Sequence, residues 1–501
     1  MILGILCLIS VIATTTSPLL AANTITIARL FARNFTDAAL LTGYHLLGVG
    51  IAGFVFVASA RVWGKRHLFL LGAVLMIISS AWGGASKTNY KSLLWARIIQ
   101  GVALAPFEAL VNACVGDMYF VHQRGKRMAV TNVSIYGGAF LTPVIVGKMT
   151  HEIGWPWTFY FIAIFMGAAL PLLVFLCPET AYRRADHLNI DMQQGYEKQS
   201  EHAGSGASRQ SPSDMDAEMA DRPNQDTEAL RSSSPDQSQN KPTPYLKTLL
   251  PFNGRKTSSS FIFLLLRPLP LLVHIGILWA GLIQGVIIGW TVFIGVVLAA
   301  LFLGPPLWFG EVQTGYLYSG AFVGAIIGLV LSALLSDWIN AIMIRLNHGR
   351  YEPEFRIILV FPMLIFSAIG LYGFGITTND VARYGWLLPD VFFAFVVVGM
   401  VLGAVASALY IVDAHREIAV EAFTCLLIFK NVFAYILTYF AYDWIAGDPG
   451  SIKTVFMIIA SLQVAICLLS VPMYVFGKRN RSFYSRHNVF WLLDKWGSKR
   501  G

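Results

Sequence analysis

Residues 93–116 read LLWARIIQGVALAPFEALVNACVG. A membrane-spanning helix needs about 20 mostly apolar residues, and this stretch supplies them. It also carries Arg97, Glu108 and Asn112. Charge inside a bilayer is costly, so such residues face a cavity, a partner or the interface. Glu108 follows Arg97 by about 16 Å at the helical rise of about 1.5 Å per residue, which puts it near mid-membrane. Asn112 lies one turn further on the same face.

The rest of the chain repeats that pattern. Of 501 residues, 56% are hydrophobic and 13% are charged. A soluble domain carries about 25% charged residues, so the surface that would face water is missing. Twelve apolar runs follow: about 2–22, 40–60, 68–86, 93–116, 128–149 and 157–177, then about 270–300, 313–335, 356–376, 386–411, 419–442 and 453–476. The expected fold is all-α and integral to the membrane, with twelve helices in two six-helix halves. The first run starts almost at Met1, so a signal peptide is weighed. Its opening residues hold no Lys or Arg, and a true first span is expected. A further upstream segment stays compatible with this reading.

The net charge of +9 is not a nucleic-acid footprint, because the basic residues are not gathered on one soluble face. The five cysteines (Cys7, Cys114, Cys177, Cys425, Cys467) sit in apolar runs with no spacing for a disulfide framework or a zinc site. No P-loop, metal-ligand cluster or nucleophile–base set occurs, so neither ATP chemistry nor an enzyme is expected. His45 and His122 are isolated and read as packing residues.

Lys and Arg concentrate on the cytoplasmic side of membrane proteins. With the N-terminus inside, about 28 of the 37 basic residues face the cytoplasm, against about seven in the opposite orientation. Both termini are then cytoplasmic, and the sequon at Asn34 faces outside as a glycosylation candidate. Residues 181–240 are rich in Ser, Gln, Asp and Pro and hold six basic and eleven acidic side chains. They cannot bury enough apolar surface to fold, and read as a cytoplasmic tether between the halves. The serines at 232–234 are a regulatory alternative. The expected organisation is residues 1–180 as the first half, 181–262 as the central loop, 263–477 as the second half and 478–501 as the tail. A faint repeat relates the halves: Thr42-Gly43-Tyr44 opens the second run and Thr314-Gly315-Tyr316 the eighth, while Asp117 and Asp413 close the fourth and tenth.

Several motifs resemble the major facilitator superfamily, and the resemblance covers nearly the whole chain. Arg61-Val62-Trp63-Gly64-Lys65-Arg66 is similar to its signature after the second span. Arg97-x-x-Gln100-Gly101 resembles its fourth-span motif. Gly138-x-x-x-Thr142-Pro143-x-x-x-Gly147 resembles the fifth-span motif of its proton antiporters. Pro178-Glu179-Thr180, Tyr351-Glu352-Pro353-Glu354-Phe355-Arg356 and Pro472-Met473-Tyr474-x-x-Gly477-Lys478-Arg479 are similar to fungal twelve-span drug/proton antiporters. Arg61 stands where the family has Asp, and Thr142 where the antiporters have Gly.

The resemblance implies alternating access around a midplane cavity, and it suggests roles for particular residues. Arg61, Gly64, Lys65 and Arg66 are expected at a cytoplasmic gate with Asp117, or as simple positive-inside anchors; Asp337 ends the matching span of the second half. Glu108 is the candidate for proton coupling, since a carboxyl in an apolar site switches charge readily. Arg97 is expected to assist it or to snorkel outward. Lys430 must pair with an acid, snorkel or face the cavity. Asn112, Gln284, Trp290, Lys430, Asn431 and Tyr435 are the expected cavity residues. Gly138, Pro143 and Gly147 imply a tightly packed, bendable fifth span.

The function expected is proton-coupled export of a small organic compound, a drug or a secondary metabolite. The alternative is proton-coupled uptake of a small solute such as an organic cation or polyamine; a transporter-like receptor ranks third. No cofactor is expected, with the proton gradient as energy source. The expected partners are a small molecule, protons and the lipid bilayer, without nucleic acid. The expected state is a monomer in the plasma membrane.

Overall fold

The computed structural model describes residues 1–119, 121–180, 249–252, 254–257, 260–415, 418–446 and 451–486. Among them there is no strand. Among the described residues, eleven helices are long and apolar enough to cross a membrane. With a shorter first helix they are labelled α1 (Ile2–Thr14), α2 (Phe35–Trp63), α3 (Arg66–Ala85), α4 (Tyr90–Met118), α5 (Val121–Ile153) and α6 (Trp155–Leu176). The second half holds α7 (Ile275–Leu301), α8 (Glu311–Leu346), α9 (Pro353–Asn379), α10 (Leu387–Ala414), α11 (Ala419–Ile445) and α12 (Ile452–Tyr484).

The first expected span, 2–22, is not one continuous helix. Its helix stops at Thr14, and a turn region leads to a second short helix, Thr24–Leu30. The cause is local. The hydroxyls of Thr14, Thr15 and Thr16 donate back to the carbonyls of Ser10, Ile12 and Ala13 at 2.8, 2.6 and 2.7 Å. Such back-bonding competes with the helical ladder. Pro18 then offers no N–H to continue it.

Each half builds its own apolar core. Leu6, Phe69, Phe107 and Phe159 are fully buried in the first half, and Phe293, Phe374, Phe393 and Phe456 in the second. Small residues let backbones approach. Gly320, Gly324 and Gly328 of α8 lie against Asp390, Ala394 and Val398 of α10. Gly138 of α5 lies against Val11 and Thr14 of α1.

The halves meet along two seams. Gly43, Gly50 and Gly53 of α2 face Tyr435 and Thr438, Asn431, and Leu427 of α11. In the other seam, a Cβ on Gly147 of α5 would sit 2.4 Å from the Glu311 carbonyl, and one on Gly315 would sit 2.5 Å from the Pro143 carbonyl. Arg61, Lys65, Arg267, Arg356 and Arg481 gather at one end of the bundle, the basic end. The α5–α8 contact lies at the opposite, far end, where Thr26 also bonds to Glu311 and Phe35 stacks on Tyr442 at 5.6 Å.

Residues 181–248, with the serines at 232–234, lie outside the described residues. A short helix, Phe261–Leu266, begins within the expected loop, and the last helical segment runs to Arg486, past residue 477.

Candidate functional site

Lys430 of α11 donates to Glu108 of α4, joining the two halves across the interior. Both side chains keep a little exposure, 16% and 18%. Tyr136 of α5 lies within electrostatic reach of Glu108. The sequence left Lys430 to pair with an acid, snorkel or face the cavity; folding pairs it with the carboxylate that α4 presents opposite α11. An ion pair with residual solvent contact is less costly to break than a fully desolvated one.

The neighbouring cavity candidates divide. Gln284 sits in a π-helical turn of α7, Leu282–Val286, and accepts from Ser407 at 3.2 Å. Such turns often mark functional positions in helices. Tyr435 lies against Tyr44 of α2, with ring centroids 5.4 Å apart. Trp290 is buried against Phe433 at 5.5 Å, and its indole N–H has no partner among the described residues. Asn112 turns to α5, donating to Asn132 at 3.3 Å and accepting from Thr131 at 2.5 Å. Asn431 is 3% exposed in the α2–α11 seam and donates to the Leu427 carbonyl.

Arg97 is fully buried, so it does not snorkel. Its guanidinium donates to the Thr16 carbonyl and to Gln100 Oε1, both at 2.7 Å, and to the Ser17 and Leu41 carbonyls at 3.3 and 3.4 Å. Gln100 in turn donates to Ser80 at 2.9 Å. The acceptors Thr16 and Ser17 lie where α1 unwinds. Irregular backbone inside a membrane needs such partners. The planar five-donor fork serves several carbonyls at once. None of these bonds reaches Glu108.

At the basic end, Lys65 donates to Asp117 at 2.6 Å. Arg66 instead donates to the carbonyls of Cys177 and Val174, closing the end of α6. Glu179 accepts the backbone N–H groups of Lys65 and Arg66 at 3.0 and 3.1 Å. A carboxylate at a helix N-terminus is favoured by the free N–H groups there. Gly64 has φ +96°, and a Cβ on it would lie 2.3 Å from the Glu179 carboxylate, so both backbone and space require glycine. Arg61 pairs with Glu421 of α11 in the opposite half. Asp337 is exposed and stands outside these pairs.

The second half repeats the device. Arg356 donates to Asp413 and to Ser336, each at 2.9 Å, and Tyr351 also bonds to Asp413. Arg481 grips Glu354 with two bonds of 2.9 and 2.8 Å. The faint repeat linking Asp117 and Asp413 thus has a structural counterpart. Glu421, Glu179, Glu354 and Arg267 escaped sequence reasoning as site residues. The opposite-charge count near helix ends was visible, but the pairing was not.

Asn34 is exposed and precedes α2 at the far end. Beside the basic end, His274 stacks on Tyr484 at 3.8 Å and meets His415 edge-on at 4.6 Å. Burial pushes His274 down to about 4. Burial, with His274 and Arg481 nearby, pushes His415 down to about 3. Among the described residues no group of three or more His, Cys, Asp or Glu is placed to hold a metal.

Two six-helix halves meeting around an internal ion pair define a membrane transporter of the alternating-access kind. Residues 4–422 match the family described as Major Facilitator Superfamily, and the chain belongs to it. It is 24% identical over 487 residues to Protein HOL1 of Saccharomyces cerevisiae, covering 90% of this chain and 80% of that protein. It is 21% identical over 453 residues to efflux pump radE of Floropilus chiversii, covering 89% of this chain and 74% of that protein. The fold matches the partially occluded inward-open xylose transporter XylE from E. coli with TM-score 0.57 and 15% identity, covering 95% of this chain and 98% of that one.

Proposed function

We propose that this chain moves a small organic compound by exchange with protons, and that Glu108 is where the two compete. The observation that carries this reading is the Lys430–Glu108 pair between the halves. A proton on Glu108 cancels its charge and releases Lys430. A bound solute that engages Glu108 does the same. Either event removes the tie between α4 and α11, and the halves rearrange. In this reading the basic end faces the cytoplasm, which the distribution of Lys and Arg favours, and transport is outward. Likeness to a protein named as an efflux pump supports that direction.

The second reading, uptake of an organic cation, draws on aromatic pairs made by α11, the helix that carries Lys430. Tyr44 and Tyr435 lie together, and Trp290 and Phe433 form a second aromatic pair. Aromatic faces attract cations.

The test is flux in proteoliposomes holding the full-length protein. Candidate drugs, metabolites and polyamines are followed in both directions under an imposed pH gradient. Exchange predicts solute movement against the proton flow, lost in Glu108→Gln. Accumulation along the proton gradient would replace this reading with uptake. Unchanged gradient dependence in Glu108→Gln would remove Glu108 from the coupling.

A further inference from the structure

We infer that Glu421 is a charge-exchange latch, shared by an arginine of each half and handed to the second-half arginine alone when the halves part at the basic end. Glu421 sits in the first turn of α11 and is only 3% exposed. Arg61, from α2 of the first half, and Arg267, from the segment leading into α7, both reach its Oε1, Arg267 at 3.1 Å. The other carboxylate oxygen, Oε2, is buried with no hydrogen-bond partner among the described residues. The acid is therefore doubly held on one oxygen and unsatisfied on the other.

Arg267 occupies the joint of a strap. Before it, the segment is fixed to the first half. Phe252 stacks on His67 at 4.8 Å, Lys256 N–H donates to the Val62 carbonyl at 2.7 Å, and Phe261 lies on Trp63 at 5.5 Å. Leu264 is buried with Ala58 and Val62. After Arg267, the segment is fixed to the second half. The Pro268 carbonyl accepts from the Cys425 thiol at 3.1 Å, and Leu271 is fully buried in that half's core.

The two arginines therefore have different fates. Separation of α2 from α11 carries Arg61 away with the first half. Arg267, anchored through Pro268 and Leu271, stays beside Glu421. A buried carboxylate stripped of its only partner is strongly unfavourable. With Arg267 in place, that penalty is avoided and the latch can open reversibly.

Opposite effects follow from removing two charges that touch one oxygen. Arg61→Met removes an attraction present only in the closed state. The separated state then gains by roughly fivefold, the scale of a partly exposed ion pair. Arg267→Met leaves Glu421 bare only in the separated state, so the closed state gains by roughly the same factor. The experiment is energy transfer between fluorophores placed by amber suppression at Phe175 and Leu346, which end α6 and α8 at the basic end and are exposed. The full-length protein is measured in nanodiscs. Opposite shifts of the distance distribution are expected. Shifts in the same direction, or none, would overturn the exchange. Where a methionine variant fails to fold, Arg61→Gln or Arg267→Gln replaces it with the same expected sign. In a Glu421→Gln background neither arginine change is expected to move the distribution further; a persistent opposite pair of shifts there would also overturn it.

Discussion

Lys430 and Glu108 lie 322 positions apart in sequence and form one ion pair across the two halves. Each is the charge that the other needs inside an apolar bundle. The pair is thus a structural tie between the halves.

Removing one partner is expected to harm the protein more than removing both. Lys430→Met leaves Glu108 unpaired and is expected to cost about 1–3 kcal/mol, scaled down from the fully buried case. Adding Glu108→Gln to it should recover most of that loss. A double-mutant cycle on thermal unfolding in detergent measures the coupling. Additive losses would show that the pair carries no interaction energy.

Arg97 is expected to act on stability rather than on proton coupling. Arg97→Lys keeps the charge but lacks the fork that serves the Thr16, Ser17 and Leu41 carbonyls. Each buried carbonyl left without a donor costs about 1–3 kcal/mol. A clear fall in the unfolding midpoint is expected, with the pH profile of transport by the surviving protein unmoved. A shifted pH profile would return Arg97 to the coupling path.

Gly147 is expected to control closure at the far end. Its Cβ position lies 2.4 Å from the Glu311 carbonyl, so Gly147→Val forces α5 and α8 apart. Labelling of a cysteine introduced at Tyr316 by a membrane-impermeant thiol reagent should accelerate, and transport should slow. Equal labelling in parent and variant would place the closure elsewhere.

Acid is expected to destabilise the cluster of His274 and His415. Burial holds both rings neutral, with values of about 4 and about 3 in the folded protein. Unfolded histidine takes up a proton near pH 6.5. The unfolded state therefore binds more protons as pH falls below about 6.5, and stability is lost from there down towards the folded values. The unfolding midpoint between pH 7 and pH 5 measures the slope, which His415→Gln should reduce. An unchanged slope would show that His415 is not held neutral.

The sequence by itself determined the class of fold and its plan. Run length and missing charge required a membrane bundle, and the arrangement in two halves followed from the long polar segment between the sixth and seventh runs. It also located the charges that a bilayer tolerates only for a reason: Arg97, Glu108 and Lys430. Local composition suffices there, because burial of apolar surface and the cost of intramembrane charge act residue by residue. Partners were decided only by the tertiary structure. Lys430 found Glu108, Arg97 found the unwound carbonyls of Thr16 and Ser17, and Arg61, standing where the family has Asp, found Glu421. The broken first helix was marked by Thr14, Thr15, Thr16 and Pro18, yet its stability depends on a guanidinium from α4. Pairing is set by which helix faces meet, and that depends on how all the spans pack together, not on spacing along any one of them.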